Sequence, residues 1–305
     1  MNMVNDKRKE LELNSPFLFR DMKNSLDRIV KAVNRREKIV IYGHYDLDCI
    51  TGVSLLILVL RYLNADVEYY ISSDPDNNYE ISLDAVESHI KFLGAGLIIT
   101  VGCGINSSYE IEMCKRMNID VIVTDFHKPK KEIPETYVIN CLQCKYNKFN
   151  ELTAVGITFK LAQAIAEYYK IKCIDKYMDL VMLGIVSKNI PLSQENELFV
   201  MRGVKQLKVT NNYGIKALMK VHKICNINTS SVLKLVNTVM PTVNPIGKMD
   251  NAKIVVELFI TSNSYRAEQI AKYLKKQVEN DTKLNANPVN QVINLRNFTK
   301  KLKRF

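Results

Sequence analysis

The chain has 305 residues, 47% hydrophobic and 25% charged, which fits a globular protein of one or two domains. Lys and Arg exceed Asp and Glu by 11 charges, so a polyanionic partner and a merely well-solvated basic surface both stay open. The N-terminal stretch MNMVNDKRKELELNS lacks an apolar segment, and the longest apolar run, Val53 to Leu60, is too short to span a bilayer; secretion and membrane insertion are disfavoured, and a soluble cytoplasmic protein is expected.

In chain order, Lys38–Tyr42 reads as a strand, Ile50–Leu63 as a helix and Val67–Ile71 as a strand. Leu83–Phe92 reads as a helix, Leu97–Val101 as a buried strand, Ser107–Met117 as a helix and Asp120–Thr124 as another buried strand. This alternation predicts βαβ units and a parallel sheet with helices on both faces. Leu152–Tyr169 and Ile174–Val186 follow as helices, with a break at Ile190-Pro191-Leu192. Segments 195–240 and 252–276 are also helical by period, separated by the loop Pro241–Asp250. The expected organisation is an α/β domain over 1–195 and a helical extension over 196–305 with a basic tail.

Seven cysteines, an odd set scattered through apolar segments, suit reduced and mostly buried thiols. Cys141-x-x-Cys144 is a close pair without the second pair that a structural zinc site needs. From Ala271 onward there are nine basic residues against Glu279 and Asp281, ending in Lys300, Lys301, Lys303 and Arg304. A solvated tail and a nucleic-acid contact both remain open for it.

Three polar turns, 43–49, 102–108 and 125–129, each follow a buried strand and should gather at one edge of the sheet. The first is Gly43-His44-Tyr45-Asp46-Leu47-Asp48-Cys49-Ile50-Thr51, which resembles the G-D-Y-D-x-D-G-x-T motif of RecJ-type single-strand exonucleases in the DHH phosphoesterase family. Thr100-Val-Gly102-Cys-Gly-Ile105 is similar to that family's T-V-D-x-G-I, and Val123-Thr-Asp125-Phe126-His127 to its V-T-D-H-H. Gly184-Ile-Val-Ser-Lys188-Asn-Ile-Pro-Leu192 resembles G-T-x-A-D-x-V-P-L. Leu152-Thr-Ala-Val-Gly156-Ile-Thr-Phe-Lys160 resembles L-A-G-V-G-V-A-F-K, and the order of the matches holds from about residue 14 to 276.

The resemblance implies a site that hydrolyses phosphodiesters with two divalent cations, Mn²⁺ or Mg²⁺, held by carboxylates and histidine. Asp46, Asp48, Asp125 and His127 keep ligand types. The departures are His44 for Asp, Gly102 for Asp, Phe126 for His and Lys188 for Asp. Losing the two carboxylates at 102 and 188 and gaining the Lys188 ammonium shifts the pocket by about three charge units, each on the order of 1–4 kcal/mol at a few ångströms. The expectation is a site without metal, with Lys188 near Asp46 and Asp48 as a built-in counter-ion. A residual metal site from His44, Asp46, Asp48 and His127 is the alternative, as is a catalytic thiol at Cys49 or Cys103, for which no activating base is evident. Family enzymes continue into a DHHA1 domain and an OB fold, and the chain stops just past the helix that would connect to them. What the resemblance implies is therefore a binding or scaffold module for single-stranded DNA or for replication and repair proteins; the alternative is a 5′→3′ exonuclease or oligonucleotide phosphodiesterase.

Overall fold

A computed structural model describes residues 13–72, 79–130, 132–144, 149, 151–190, 192, 194–241 and 250–284. Among them, five parallel strands, β1 (Lys38–His44), β2 (Val67–Ser72), β3 (Ala95–Val101), β4 (Asp120–Asp125) and β5 (Tyr137–Asn140), form one sheet in the order β2-β1-β3-β4-β5. After β1 the chain adds β2 on one side and then β3 on the other. The winding direction thus reverses at β1, and a crevice opens beyond the carboxyl ends of β1 and β3.

The helices are α1 (Met22–Arg35), α2 (Leu47–Tyr62), α3 (Leu83–Ala85), α4 (Ser108–Arg116), α5 (Ala154–Tyr168), α6 (Met178–Ser187), α7 (Gln194–Leu207), α8 (Tyr213–Val221), α9 (Thr229–Val239), α10 (Asp250–Ile260) and α11 (Ser264–Leu284). Strand side chains alternate between two cores: Ile39, Ile41, Leu97, Ile99 and Ile122 face α1, α2 and α5, while Val40, Tyr42, Ile98, Val121 and Val123 face α3 and α4. α1 docks through the buried Arg28 guanidinium, which donates to Glu37, Asp120 and the Gly96 carbonyl. No helix among the described residues is long and apolar enough to cross a membrane.

The α/β architecture with a parallel sheet and a helical C-terminal segment is as expected, with differences at particular elements. α2 begins at Leu47 rather than Ile50 because Asp46 caps it, accepting the Cys49 N–H. Leu83–Phe92 is a short α turn that widens into a π turn over Val86–Ile90. The run 195–240 is three helices, because Asn212 and Asn228 cap new starts at Tyr213 and Thr229 inside a continuous apolar period. The run 252–276 divides likewise into α10 and α11. Helix α1 and the four-residue strand β5 had no separate expectation.

Helix α2 is buried on nearly every side and crosses α6 at Gly184, where a Cβ would lie 2.2 Å from Thr51 Oγ1 and 2.9 Å from Val155 Cγ1. Both neighbours are β-branched and buried, so they cannot swing away. Gly184→Ala gains roughly 1 kcal/mol of helix propensity but incurs overpacking of about 1–3 kcal/mol. The net expected in denaturant unfolding is destabilisation; a more stable variant refutes the tight crossing.

Asp179, in the first turn of α6, is buried and accepts from Thr210 Oγ1 at 2.5 Å and from the Leu180 N–H at 2.8 Å. Burial outweighs these bonds and raises its carboxyl from 3.8 to about 6. A raised carboxyl favours the fold at pH below 3.8, and that contribution is lost as pH rises through 6. Asp179→Asn removes this dependence, so its stability relative to the parent should rise by about 2 kcal/mol between pH 4 and pH 8. Unfolding measured at both pH values tests this, and a pH-independent difference contradicts it.

Candidate functional site

Three loops converge beyond the carboxyl ends of β1, β3 and β4. The first carries Asp46 and Asp48. Asp46 Oδ1 accepts the Cys49 N–H at 3.0 Å, and the Cys49 thiol donates to Oδ2 at 3.3 Å. Asp48 is fully buried, with Oδ2 accepting the Ala154 N–H at 2.9 Å and Oδ1 the Val155 N–H at 3.0 Å. It thus sits on the N-terminus of α5, where orphan N–H groups and the helix dipole favour an anion. Burial, and then the neighbouring Asp46, nonetheless raise its carboxyl to about 6, against the opposing pull of Lys188 and the α5 N–H groups.

The loop after β4 carries Asp125 and His127. Asp125 is buried, its Oδ2 accepting the Ile105 N–H at 3.0 Å. Its Oδ1 accepts the His127 N–H at 3.0 Å and lies 2.7 Å from His127 Nδ1, which fixes the imidazole. Asn140, at the end of β5, donates to the His127 carbonyl at 2.9 Å.

Aromatic rings line up through the site. Tyr45 and His44 have centroids 4.4 Å apart, His44 and Tyr79 4.4 Å, Tyr79 and His127 4.7 Å, and His127 and Phe126 4.1 Å. The column ends under Lys188, whose ammonium stands 5.3 Å from the Phe126 centroid. Lys188 caps the C-terminus of α6. Burial works to lower its pKa, but Asp46 and then Asp48 prevail and raise it. The counter-ion expectation thus takes a specific form: the ammonium lies in the field of both carboxylates and rests on a ring.

The loop after β3 brings Gly102, whose φ of +71° is left-handed and whose N–H donates to Thr124 O at 2.8 Å. A Cβ on Gly102 would lie 2.6 Å from Cys49 Sγ and 2.8 Å from Ala154 Cβ. Cys49 is fully buried; burial, then Asp46 and Asp48, push its pKa well above the ordinary thiol value. Cys103 is raised by burial and by Asp125. Neither environment activates a thiolate, so the catalytic-thiol alternative finds no support in it. Cys141 and Cys144 are also buried.

The residues expected from sequence, His44, Asp46, Asp48, Gly102, Asp125, Phe126, His127 and Lys188, are brought together in these loops and at the end of α6. Among the described residues, no group of three or more His, Cys, Asp or Glu side chains is placed to hold a metal ion. Lys300, Lys301, Lys303 and Arg304 lie outside the described residues. Sequence reasoning missed Tyr79, the α5 N–H groups and Asn140. Tyr79 follows no motif or period, whereas Thr153 ahead of an apolar helix was a readable capping signal.

Residues 38–185 match the DHH family, N-terminal domain. The chain is 34% identical over 266 residues to the single-stranded-DNA-specific exonuclease RecJ of Bacillus subtilis, covering 86% of this chain and 33% of that protein. It is 29% identical over 285 residues to the Haemophilus influenzae RecJ, covering 87% of this chain and 49% of that one. A solved structure of exonuclease RecJ bound to manganese superposes with a TM-score of 0.81 at 21% identity, covering 92% of this chain and 71% of that one. The chain carries a RecJ-like DHH core. It spans between a third and a half of the length of these two curated relatives.

Against the RecJ-type motifs, three positions around Gly102 now read as a single exchange. Gly102 stands for the motif's Asp, while Cys49 and Ala154 each stand for a motif Gly, and their side chains fill the space a side chain at 102 would need. Gly102→Asp alone should therefore destabilise the RecJ-like core by about 1–3 kcal/mol through overpacking. Combining it with Cys49→Gly and Ala154→Gly should recover at least about 1 kcal/mol as a favourable coupling in a mutant cycle. Additive effects in denaturant unfolding refute the exchange.

Proposed function

We propose that this RecJ-like chain no longer hydrolyses phosphodiesters and serves in the cytoplasm as a binding or scaffold module, engaging single-stranded DNA or the proteins that replicate and repair it. The observation that carries the loss of hydrolysis is the back-filled space at Gly102. A two-metal site needs several hard anionic ligands meeting at one point. Here one carboxylate position is closed by Cys49 and Ala154, two others have become His44 and Lys188, and Phe126 offers no donor atom. The residues present do not fit a pair of dications, and no step is assigned to one. We take 1–195 as the DHH-type domain and 196–305 as its helical extension.

Binding to single strands is favoured by the name and specificity of the curated relatives, by the net charge of +11 and by the basic tail. A residual Mn²⁺- or Mg²⁺-dependent exonuclease is the second reading. It is favoured by the ordered Asp125–His127 pair and by the retained Asp46 and Asp48.

The deciding assay uses 5′-labelled single-stranded DNA with Mn²⁺. The unaltered chain should release no nucleotides. A variant carrying His44→Asp, Cys49→Gly, Gly102→Asp, Phe126→His, Ala154→Gly and Lys188→Asp should regain cleavage if it folds, which circular dichroism checks. Cleavage by the unaltered chain above a metal-chelated control overturns the proposal.

A further inference from the structure

Helices α2 and α5 both start at the candidate site, where Asp46 caps the first and Asp48 binds the N-terminus of the second. The 16 residues of α2 carry the chain about 24 Å to the opposite edge of the domain. There Arg61 and Tyr62 end α2, and Tyr168, Lys170 and Lys172 lie at and just beyond the end of α5. All five are exposed, the tyrosines at 60% and 52%. Between the two helix ends, a short turn over Ile174–Tyr177 places the Lys176 ammonium 5.0 Å from the Tyr62 centroid and 4.9 Å from the Tyr177 centroid. The cation is clasped by two rings, and burial, then Tyr62, hold the Tyr177 phenol up at about 12.

This cluster continues into a cavity of about 440 Å³ lined by Asp175, Met178, Met201, Arg202, Lys205 and Gln206. Asp175 is balanced by Arg202 at 3.3 Å and Asp66, four residues past Tyr62, by Lys38 at 2.6 Å, while Glu167 is an exposed acid beside Tyr168. Cations at helix C-termini are favoured by the dipole alone. The dipole gives no reason for exposed tyrosine rings among them. Cations for phosphates with rings for bases are what an unpaired strand requires; a duplex keeps its bases stacked inside and leaves such rings idle.

We propose that this edge, centred on Tyr62, Lys176 and Tyr177, is a second contact for single-stranded nucleic acid, separate from the crevice beyond the strand ends. It rests on the reading that the chain binds single strands. The test is fluorescence anisotropy of the full chain in EDTA with a labelled oligothymidine and with an abasic strand of equal length. The basic tail then contributes equally to every arm.

The triple variant Lys170→Gln, Lys172→Gln, Lys176→Gln should bind both strands about tenfold more weakly, with a slope of log affinity on log salt shallower by about 2. Tyr62→Ala should weaken oligothymidine binding about tenfold and leave the abasic strand unaffected. Tyr62→Phe, which keeps the ring, should bind like the parent. A parent that binds oligothymidine while the triple variant binds equally well overturns this inference alone. A loss confined to the lysine variant overturns the single-strand assignment, because it shows phosphates held without bases. A parent that binds neither strand sinks the single-strand reading and this contact with it.

Discussion

The buried carboxylate of Asp48 spans the joint on which the rest of the structure hangs. It belongs to the first turn of α2 and binds the first N–H groups of α5, so it fixes where both helices start. Desolvating a carboxylate costs several kcal/mol, while each hydrogen bond to a charged group returns about 1.5–3 kcal/mol. Two such bonds and a helix N-terminus offset part of that cost, and burial with the neighbouring Asp46 still raises the carboxyl to about 6. Once α5 is held there, its path beneath β3 and β4 and against α1 and α2 follows.

The residues around this joint fit one another in volume and in charge. A carboxylate removed at 102 would leave a void, which Cys49 and Ala154 fill. Negative charge left around Asp46 and Asp48 would repel itself, and Lys188 supplies the opposite sign. His44 and Phe126 take places in a ring column, where flat faces at about 4–5 Å contribute on the order of 0.5–1.5 kcal/mol per contact. The substitutions are mutually consistent in volume and in charge.

Much of this could be read from the residues, and the limits have physical causes. β1, β3 and β4 announce themselves as apolar, largely β-branched runs, because they are buried on both faces, and the edge strand β2 by its alternation. β5 was missed because Tyr-Val-Ile-Asn is too short to show a period, and α1 because no expectation was drawn from its apolar spacing. Asn212 and Asn228 were missed as breaks because a single capping side chain alters no period. The loop residues of the site were found through motif spacing, which records sequence position. The partners of those residues are set across the chain: Ala154 lies 106 positions from Asp48 and 52 from Gly102, and Tyr79 meets His44 and His127 from a segment without a motif. Distance along the chain hides such contacts, however plain each residue is.

The polarity of the helices ties the two ends of the domain together. In a parallel βαβ arrangement every crossover helix runs opposite to the strands, so N-termini meet at one edge and C-termini at the other. The N-terminal edge carries positive partial charge, and Asp46 and Asp48 accept helix N–H groups there. The C-terminal edge carries negative partial charge, and Arg61, Lys170, Lys172 and Lys176 gather there. The same geometry that keeps carboxylates in the crevice therefore recruits cations to the far edge. One end holds the carboxyl groups of Asp46 and Asp48 with the Lys188 ammonium, and the other the cations of Arg61, Lys170, Lys172 and Lys176 with Glu167 and Asp175 among them. Changing residues in the crevice leaves that second group intact, because it is set by strand direction and by where each helix ends.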